Sequence, residues 1–331
     1  MSTQERRVVL LSPGDPEQRT GGYLFNKRLV QAWRDMGLQA EILPLSWPLM
    51  ETDAARVRAL PADVCLLADG LLWESLRSQS QGIQRPASVL VHSLRAWEPG
   101  QPHAALQEEQ AALARAQALI CTGPEVQAIL AQAGLESVLA LPGTQGTPGP
   151  APTGAPHLLC AATVTERKGH LRLLNALAKL KELPWTLSCV GSLSREPQTA
   201  KALLQAVDTL GLTNRVRLLG ESSDMTPHYH RAHAVVHAAH HEAFGMVLSE
   251  AVAHGRPVLS TPAGALQFLP VGAVLALDEQ LSGLGAYLRD PALREALHHG
   301  AQGADLPTWP DTARIIWRAL TVLKRWSCDE L

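Results

Sequence analysis

From Pro142 to Pro152 the chain reads Pro-Gly-Thr-Gln-Gly-Thr-Pro-Gly-Pro-Ala-Pro. Proline removes a backbone donor and glycine raises the entropy lost on ordering, so neither a helix nor a strand can run through this stretch. It is the natural linker, and what lies on either side must fold around its own core. A chain of 331 residues is in any case too long for one ordinary core. On the amino-terminal side, short apolar runs (Val8–Ser12, Ala40–Leu43, Val64–Asp69, Ser88–His92, Ala118–Thr122) alternate with helix-like segments near Tyr23–Met36, Ala54–Leu60, Ala104–Ala116 and Pro124–Ala133. A second series starts at His157 and continues through Trp185–Gly191, Arg215–Gly220, Ala234–Ala239 and Pro257–Ser260. Strand–helix alternation of this kind builds parallel, doubly wound α/β sheets. The expected organisation is a Rossmann-like domain over 1–141, a linker over 142–156, a second Rossmann-like domain over 157–307 and a terminal helix in 308–331. That helix is expected over about Asp311 to Trp326, with Ile315, Leu320, Val322 and Leu323 on its apolar side.

The most informative stretch is Glu242-Ala-Phe-Gly-Met-Val-Leu-Ser-Glu250, preceded by the strand-like Ala234–Ala239 and followed by Gly255 and another apolar run. Helix-forming composition after Gly245 and a glycine stop at Gly255 predict strand, loop, helix, strand. The free amides of Gly245, Met246 and Val247 would then open a helix at the carboxyl edge of a parallel sheet, where unpaired donors and the helix dipole favour an anion. Glu242 falls in the loop and Glu250 about two turns inside the helix. Carboxylates are poor phosphate ligands but good acceptors from hydroxyl groups. A ligand with phosphates in the middle and polyhydroxylated rings at its ends satisfies both demands; so, by spacing alone, does an α/β turn carrying two solvated glutamates.

Glu242 to Glu250 resembles the Glu-x7-Glu motif of family 4 glycosyltransferases, retaining enzymes of the GT-B fold. Lys168-Gly169 after an apolar strand, Gly220 after Arg215–Leu219, and Gly255-Arg256-Pro257-Val258 followed by Gly264-Ala265 also stand at that family's landmarks. The similarity covers residues 157 to about 270 well and the rest loosely. It implies two facing Rossmann-like domains, with a terminal helix that crosses back to the first. The implied activity is metal-independent transfer of a sugar from a nucleoside diphosphate to an acceptor that no motif identifies. On this resemblance Lys168, with Arg167, faces the leaving diphosphate, and Glu242 contacts sugar hydroxyls or the acceptor side. Glu250 takes the ribose hydroxyls, and the amides of Phe244, Gly245, Met246 and Val247 hold sugar or phosphate oxygens. Gly220 and Glu221 form the base-binding loop. Gly21-Gly22 cradles phosphate, and His92 lies near the reacting sugar; domain closure would unite Gly22 and His92 with Lys168 and Glu242. The family usually carries an arginine five residues before the lysine, where this chain has Thr163, so Arg167 or Arg19 would substitute. The alternative is a catalytically weakened nucleotide-sugar-binding protein of the same fold.

Other chemistries find less purchase. There is no Gly-x-Gly-x-x-Gly and no Gly-x4-Gly-Lys-Ser/Thr, which argues against a nicotinamide oxidoreductase and a P-loop. No Asp-x-Asp is present. His237, His240 and His241 cluster, but His240 and His241 read as opposite faces of a strand without a His-Glu-x-x-His or Cys-x-x-Cys partner, so no metal is expected. Asp69-Gly70 is either an acceptor-side carboxylate or a strand-ending turn, and the turn is the reading adopted. A net charge of −2, split as −3 in residues 1–150 and +1 in the remainder, with no Lys/Arg run longer than two, argues against nucleic acid and an anionic membrane surface. Five cysteines without close pairs and no signal-like or 18-residue apolar segment suggest reduced thiols in a cytoplasmic protein without stable membrane insertion.

Overall fold

The computed structural model describes residues 7–78, 85–97 and 104–322. These form two compact units, one comprising the chain up to Gly143 together with the segment from Pro307 onward, the other Thr144–Leu306.

The first unit is built on six parallel strands, β1 (Arg7–Pro13), β2 (Gln39–Leu45), β3 (Cys65–Asp69), β4 (Ser88–Val91), β5 (Leu119–Cys121) and β6 (Val138–Leu139), in the order β2-β1-β3-β4-β5-β6. Helices α1 (Gly21–Asp35), α2 (Glu51–Arg58), α3 (Gly70–Ser78), α4 (Ala105–Leu113) and α5 (Pro124–Gln132) connect them. Val8, Val9, Leu10 and Leu11 are all fully buried, because a strand covered on both faces needs an unbroken apolar run rather than alternation. Gly70 opens α3 directly after β3, so Asp69-Gly70 is a strand-to-helix junction rather than the expected turn.

The second unit holds β7 (His157–Ala161), β8 (Thr186–Val190), β9 (Val216–Leu218), β10 (Ala234–His237), β11 (Val258–Ser260) and β12 (Val274–Ala276). All pair in parallel, in the order β12-β11-β10-β7-β8-β9. Its helices are α6 (His170–Ala178), α7 (Pro197–Thr209), α8 (Thr226–Arg231), α9 (Met246–Ala253), α10 (Gly283–Arg289) and α11 (Pro291–Gly300). The chain builds outward from β7 to β9, then returns to lay β10 on the other side of β7. That reversal is the topological switch point, where loops leaving adjacent strands diverge and open a crevice at the carboxyl edge. The Gly/Pro-rich stretch lies on this unit: Arg256 Nη2 donates to the Pro150 carbonyl at 2.7 Å, and the Thr147 carbonyl lies 2.8 Å from His230 Nε2 and 3.0 Å from His254 Nδ1.

The last helix, α12 (Trp309–Val322), belongs to the first unit. Thr308 caps it, its hydroxyl accepting from Asp311 N at 3.3 Å, and Pro310 falls in the first turn where its missing N–H costs nothing. Trp33 Nε1 of α1 donates to the Ala313 carbonyl at 3.0 Å. Ala313, Ile316, Ala319 and Leu320 are buried whereas Ile315 is exposed, so the apolar stripe is rotated from the expected one. The side chain of Val322, and Leu323 and Trp326, lie outside the described residues. Cys65, Cys121, Cys160 and Cys189 are free, buried thiols in strands, and Cys328 again lies outside. No described helix is long and apolar enough to cross a membrane.

Candidate active site

The loops that leave β7 and β10 flank the switch point of the second unit. After β7 the chain makes a single 3-10 turn, Glu166–Lys168, and enters α6 through Gly169 at φ 67°. Only glycine fits there: the backbone is left-handed, and a Cβ would overlap the Ala238 carbonyl oxygen of the facing loop. That close approach brings Lys168 against the loop after β10. Its ammonium pairs with Glu242 Oε2, and the two side chains are 17% and 13% exposed.

The same Oε2 lies 3.2 Å from His237 Nε2, at the end of β10. A carboxylate only accepts, so Nε2 carries the proton. On the other side of the ring, His237 Nδ1 lies 3.3 Å from Ser260 Oγ, whose hydroxyl donates to the Thr261 carbonyl at 2.6 Å. Burial by itself would raise the Glu242 carboxyl, but the Lys168 charge and the His237 hydrogen bond outweigh it and hold the group well below the usual carboxylate range. Glu242 is therefore an anion at any working pH.

Gly245, at φ 87°, turns the chain into α9, whose first amides meet no capping side chain. Phe244 is buried and its carbonyl accepts from Ala265 N at 2.8 Å, while Met246 and Val247 are half-buried in the first turn. Glu250 sits in the second turn, nearer the helix start than its spacing from Glu242 suggested, and accepts from Tyr229 Oη at 2.9 Å. The Tyr229 ring stacks on His254 with centroids 4.8 Å apart. The strand ends at His237, so His240 and His241 are exposed loop residues rather than opposite faces of a strand. Arg167 braces that loop, Nη1 donating to the His241 carbonyl at 2.8 Å. Arg172 does the same from α6 through the Ala238 and Ala239 carbonyls. Thr163 is half-buried. Gly220 follows β9, its carbonyl accepting from Gly191 N at 2.8 Å, and Glu221 is exposed. Among the described residues no group of three or more His, Cys, Asp or Glu side chains is placed to hold an ion.

In the first unit the order β2-β1-β3 puts a switch point between β1 and β3, and a polar chain lies at the carboxyl edge there. His92 Nε2 is 3.0 Å from Asn26 Oδ1; Asn26 Nδ2 donates to Asp69 Oδ2 at 3.3 Å, and Asp69 Oδ1 accepts from Leu71 N at 3.0 Å. Burial lowers the His92 pKa more than the Asp69 charge raises it, so the ring is neutral at pH 7. Gly21 and Gly22 open α1, and a Cβ on Gly22 would stand 3.3 Å from His92 Cδ2, which ties the second glycine to the imidazole. Arg19 is exposed.

Reading the sequence overlooked Asn26, Ser260 and Tyr229, and considered His237 only as a metal ligand. Asn26 stands one turn into the helix that Gly21-Gly22 opens, and His237 is the single polar residue closing an apolar strand beside Glu242. Those positions were the available signal. Ser260 and Tyr229 reach the site only through strand order and helix packing.

Residues 155–278, which span both loops of the second unit's switch point, match the family described as "Glycosyl transferases group 1". The chain is 32% identical over 189 residues to the lipopolysaccharide core biosynthesis mannosyltransferase LpcC of Rhizobium leguminosarum bv. viciae, an overlap of 53% of each chain. It thus spans about half the length of that curated relative. Sucrose-phosphate synthase from Thermosynechococcus elongatus superposes with a TM-score of 0.78 at 20% identity, over 97% of this chain and 100% of the other. Anabaena HepE in complex with UDP and glucose gives 0.74 at 17% identity, over 98% of both. The chain therefore has the GT-B fold, and its residues 155–278 match the group 1 family.

Proposed function

We propose that the protein is a retaining, metal-independent glycosyltransferase that moves a sugar from a nucleoside diphosphate to an acceptor. The observation that carries this reading is the Lys168–Glu242 pair at the β7/β10 switch point, beside the uncapped start of α9. Each part suits one portion of a sugar nucleotide. The α9 amides and Lys168 offer positive potential to a diphosphate whose charge grows as the sugar bond breaks. Arg167 stands next to Lys168 and adds to that potential. Glu242, anionic and almost buried, accepts from sugar hydroxyls; Glu250, steadied by Tyr229, accepts from the ribose. Gly220 and Glu221 are assigned to the base. In the first unit the Gly21-Gly22 turn is assigned to the donor phosphate, and His92, neutral and fixed by Asn26, to the reacting sugar. The departing phosphate itself takes the acceptor proton on the face it leaves, and configuration is retained.

The test is release of nucleoside diphosphate from UDP-, GDP- and ADP-sugars, with product anomers read by NMR. Lys168→Ala and Glu242→Ala each abolish release while the circular dichroism spectrum is unchanged, chelators have no effect, and the product keeps the donor's anomeric configuration. Near-normal turnover in either variant sinks the assignment, and an inverted product sinks retention. One observation favours a weakened, binding-only protein: Thr163 supplies no charge, and the Arg167 guanidinium is engaged by the His241 carbonyl. On that reading wild-type protein binds a sugar nucleotide and releases nothing.

A further inference from the structure

Glu242 has two carboxylate oxygens, yet both side chains that reach it meet the same one. Lys168 Nζ and His237 Nε2 converge on Oε2. The two donors differ in kind. Lysine is a flexible stem ending in a freely rotating ammonium and fixes no direction. His237 is 3% exposed and closes β10 as a rigid ring, with its Nδ1 edge facing Ser260, its register partner on β11. A carboxylate turns easily about its last torsion, so a single mobile donor would leave either oxygen facing outward. A directed second donor on Oε2 removes that freedom.

We propose that His237 is a positioning residue: it anchors Oε2 so that Oε1 alone is presented to a sugar hydroxyl, and it keeps a proton donor on Glu242 when Lys168 turns to the phosphates. The second part follows from burial. At 13% exposure, a Glu242 carboxylate deserted by Lys168 would have no partner, and such a charge is strongly unfavourable. With His237 behind it, the lysine is free to change partners. The proposal rests on the reading of Glu242 as a sugar contact, and it concerns the sugar and not the nucleotide.

The experiment is calorimetric titration of wild type, His237→Leu and His237→Gln with UDP and UDP-glucose, and with GDP and GDP-mannose. His237→Leu leaves the affinity for the nucleoside diphosphate within about twofold and weakens the sugar nucleotide about tenfold or more relative to it, as expected for a charged hydrogen bond lost. His237→Gln, whose amide reaches the same oxygen without titrating, restores the wild-type ratio. Unchanged nucleotide binding also certifies the fold of each variant. A wild-type ratio in His237→Leu, or equal damage in His237→Gln, overturns the role of His237 while the donor reading stands. Wild-type protein that binds none of the four ligands overturns the donor reading and this proposal with it.

Discussion

At the scale of residues, the polar contacts of the second unit's switch point gather on one carboxylate. Glu242 is pulled below its ordinary pKa by Lys168 and His237 against the opposing effect of burial, and that has a consequence for stability. A depressed folded pKa means that the ionised form is preferred in the native state. Its contribution is fully present above the unfolded value near 4.5 and is lost as pH falls from there toward the lowered folded value. Melting temperature measured from pH 6 to pH 3 should therefore fall more steeply for wild type than for Glu242→Gln, which has no proton to take up. Parallel curves would mean that the pair contributes nothing in solution. Lys168 and Glu242 were legible in the sequence because each sits in a local pattern, a Lys-Gly after a strand and a Glu before a glycine turn. Their partners were not. His237 and Ser260 are 23 residues apart and meet only because β10 lies beside β11.

At the scale of elements, two left-handed glycines set the two loops, and they differ in what surrounds them. A methyl group at Gly169 would meet the rigid Ala238 backbone; at Gly245 it would meet the movable ends of Leu248 and Glu242, with Cγ of Glu242 at 3.2 Å. Gly169→Ala should cost about 2 kcal/mol or more, the left-handed penalty plus displacement of the β10 loop. Gly245→Ala should cost about 1 kcal/mol but displace Glu242, so that sugar-nucleotide turnover falls further than stability. Chemical denaturation and turnover on both variants check this, and the reverse ranking of stabilities would contradict it. The central strands were readable from apolar runs because parallel strands buried on both faces admit little else, whereas the short edge strands β6 and β12, with no fully buried residue, were not read. Ends were less readable: His240 and His241 follow alanines that continue the strand pattern, yet Arg167 and Arg172 claim the backbone carbonyls there and turn it into loop. The stripe of α12 was misplaced because Ile315 and Ile316 are alike in composition and only the packed neighbour decides which is buried.

For the whole molecule, the doubly wound α/β class follows from strand–helix alternation on both sides of the Gly/Pro-rich stretch, and the GT-B fold, implied by the resemblance around Glu242–Glu250, is matched by the solved structures. Strand order is a different matter. No local pattern announces that β10 returns to the side of β7 opposite β8, yet this reversal is what brings Lys168 and Glu242, 74 positions apart, to one crevice. We propose that this crevice holds a nucleotide sugar. The most direct test is a thermal-shift titration of the wild-type chain with UDP, GDP, ADP and their sugars, with and without Mg²⁺. A ligand at 100 times its Kd adds about 2.7 kcal/mol, a rise of about 4 °C for a protein of this size. One nucleotide and its sugar should stabilise the protein by that amount, equally well without metal. No stabilisation by any of them would contradict the proposal.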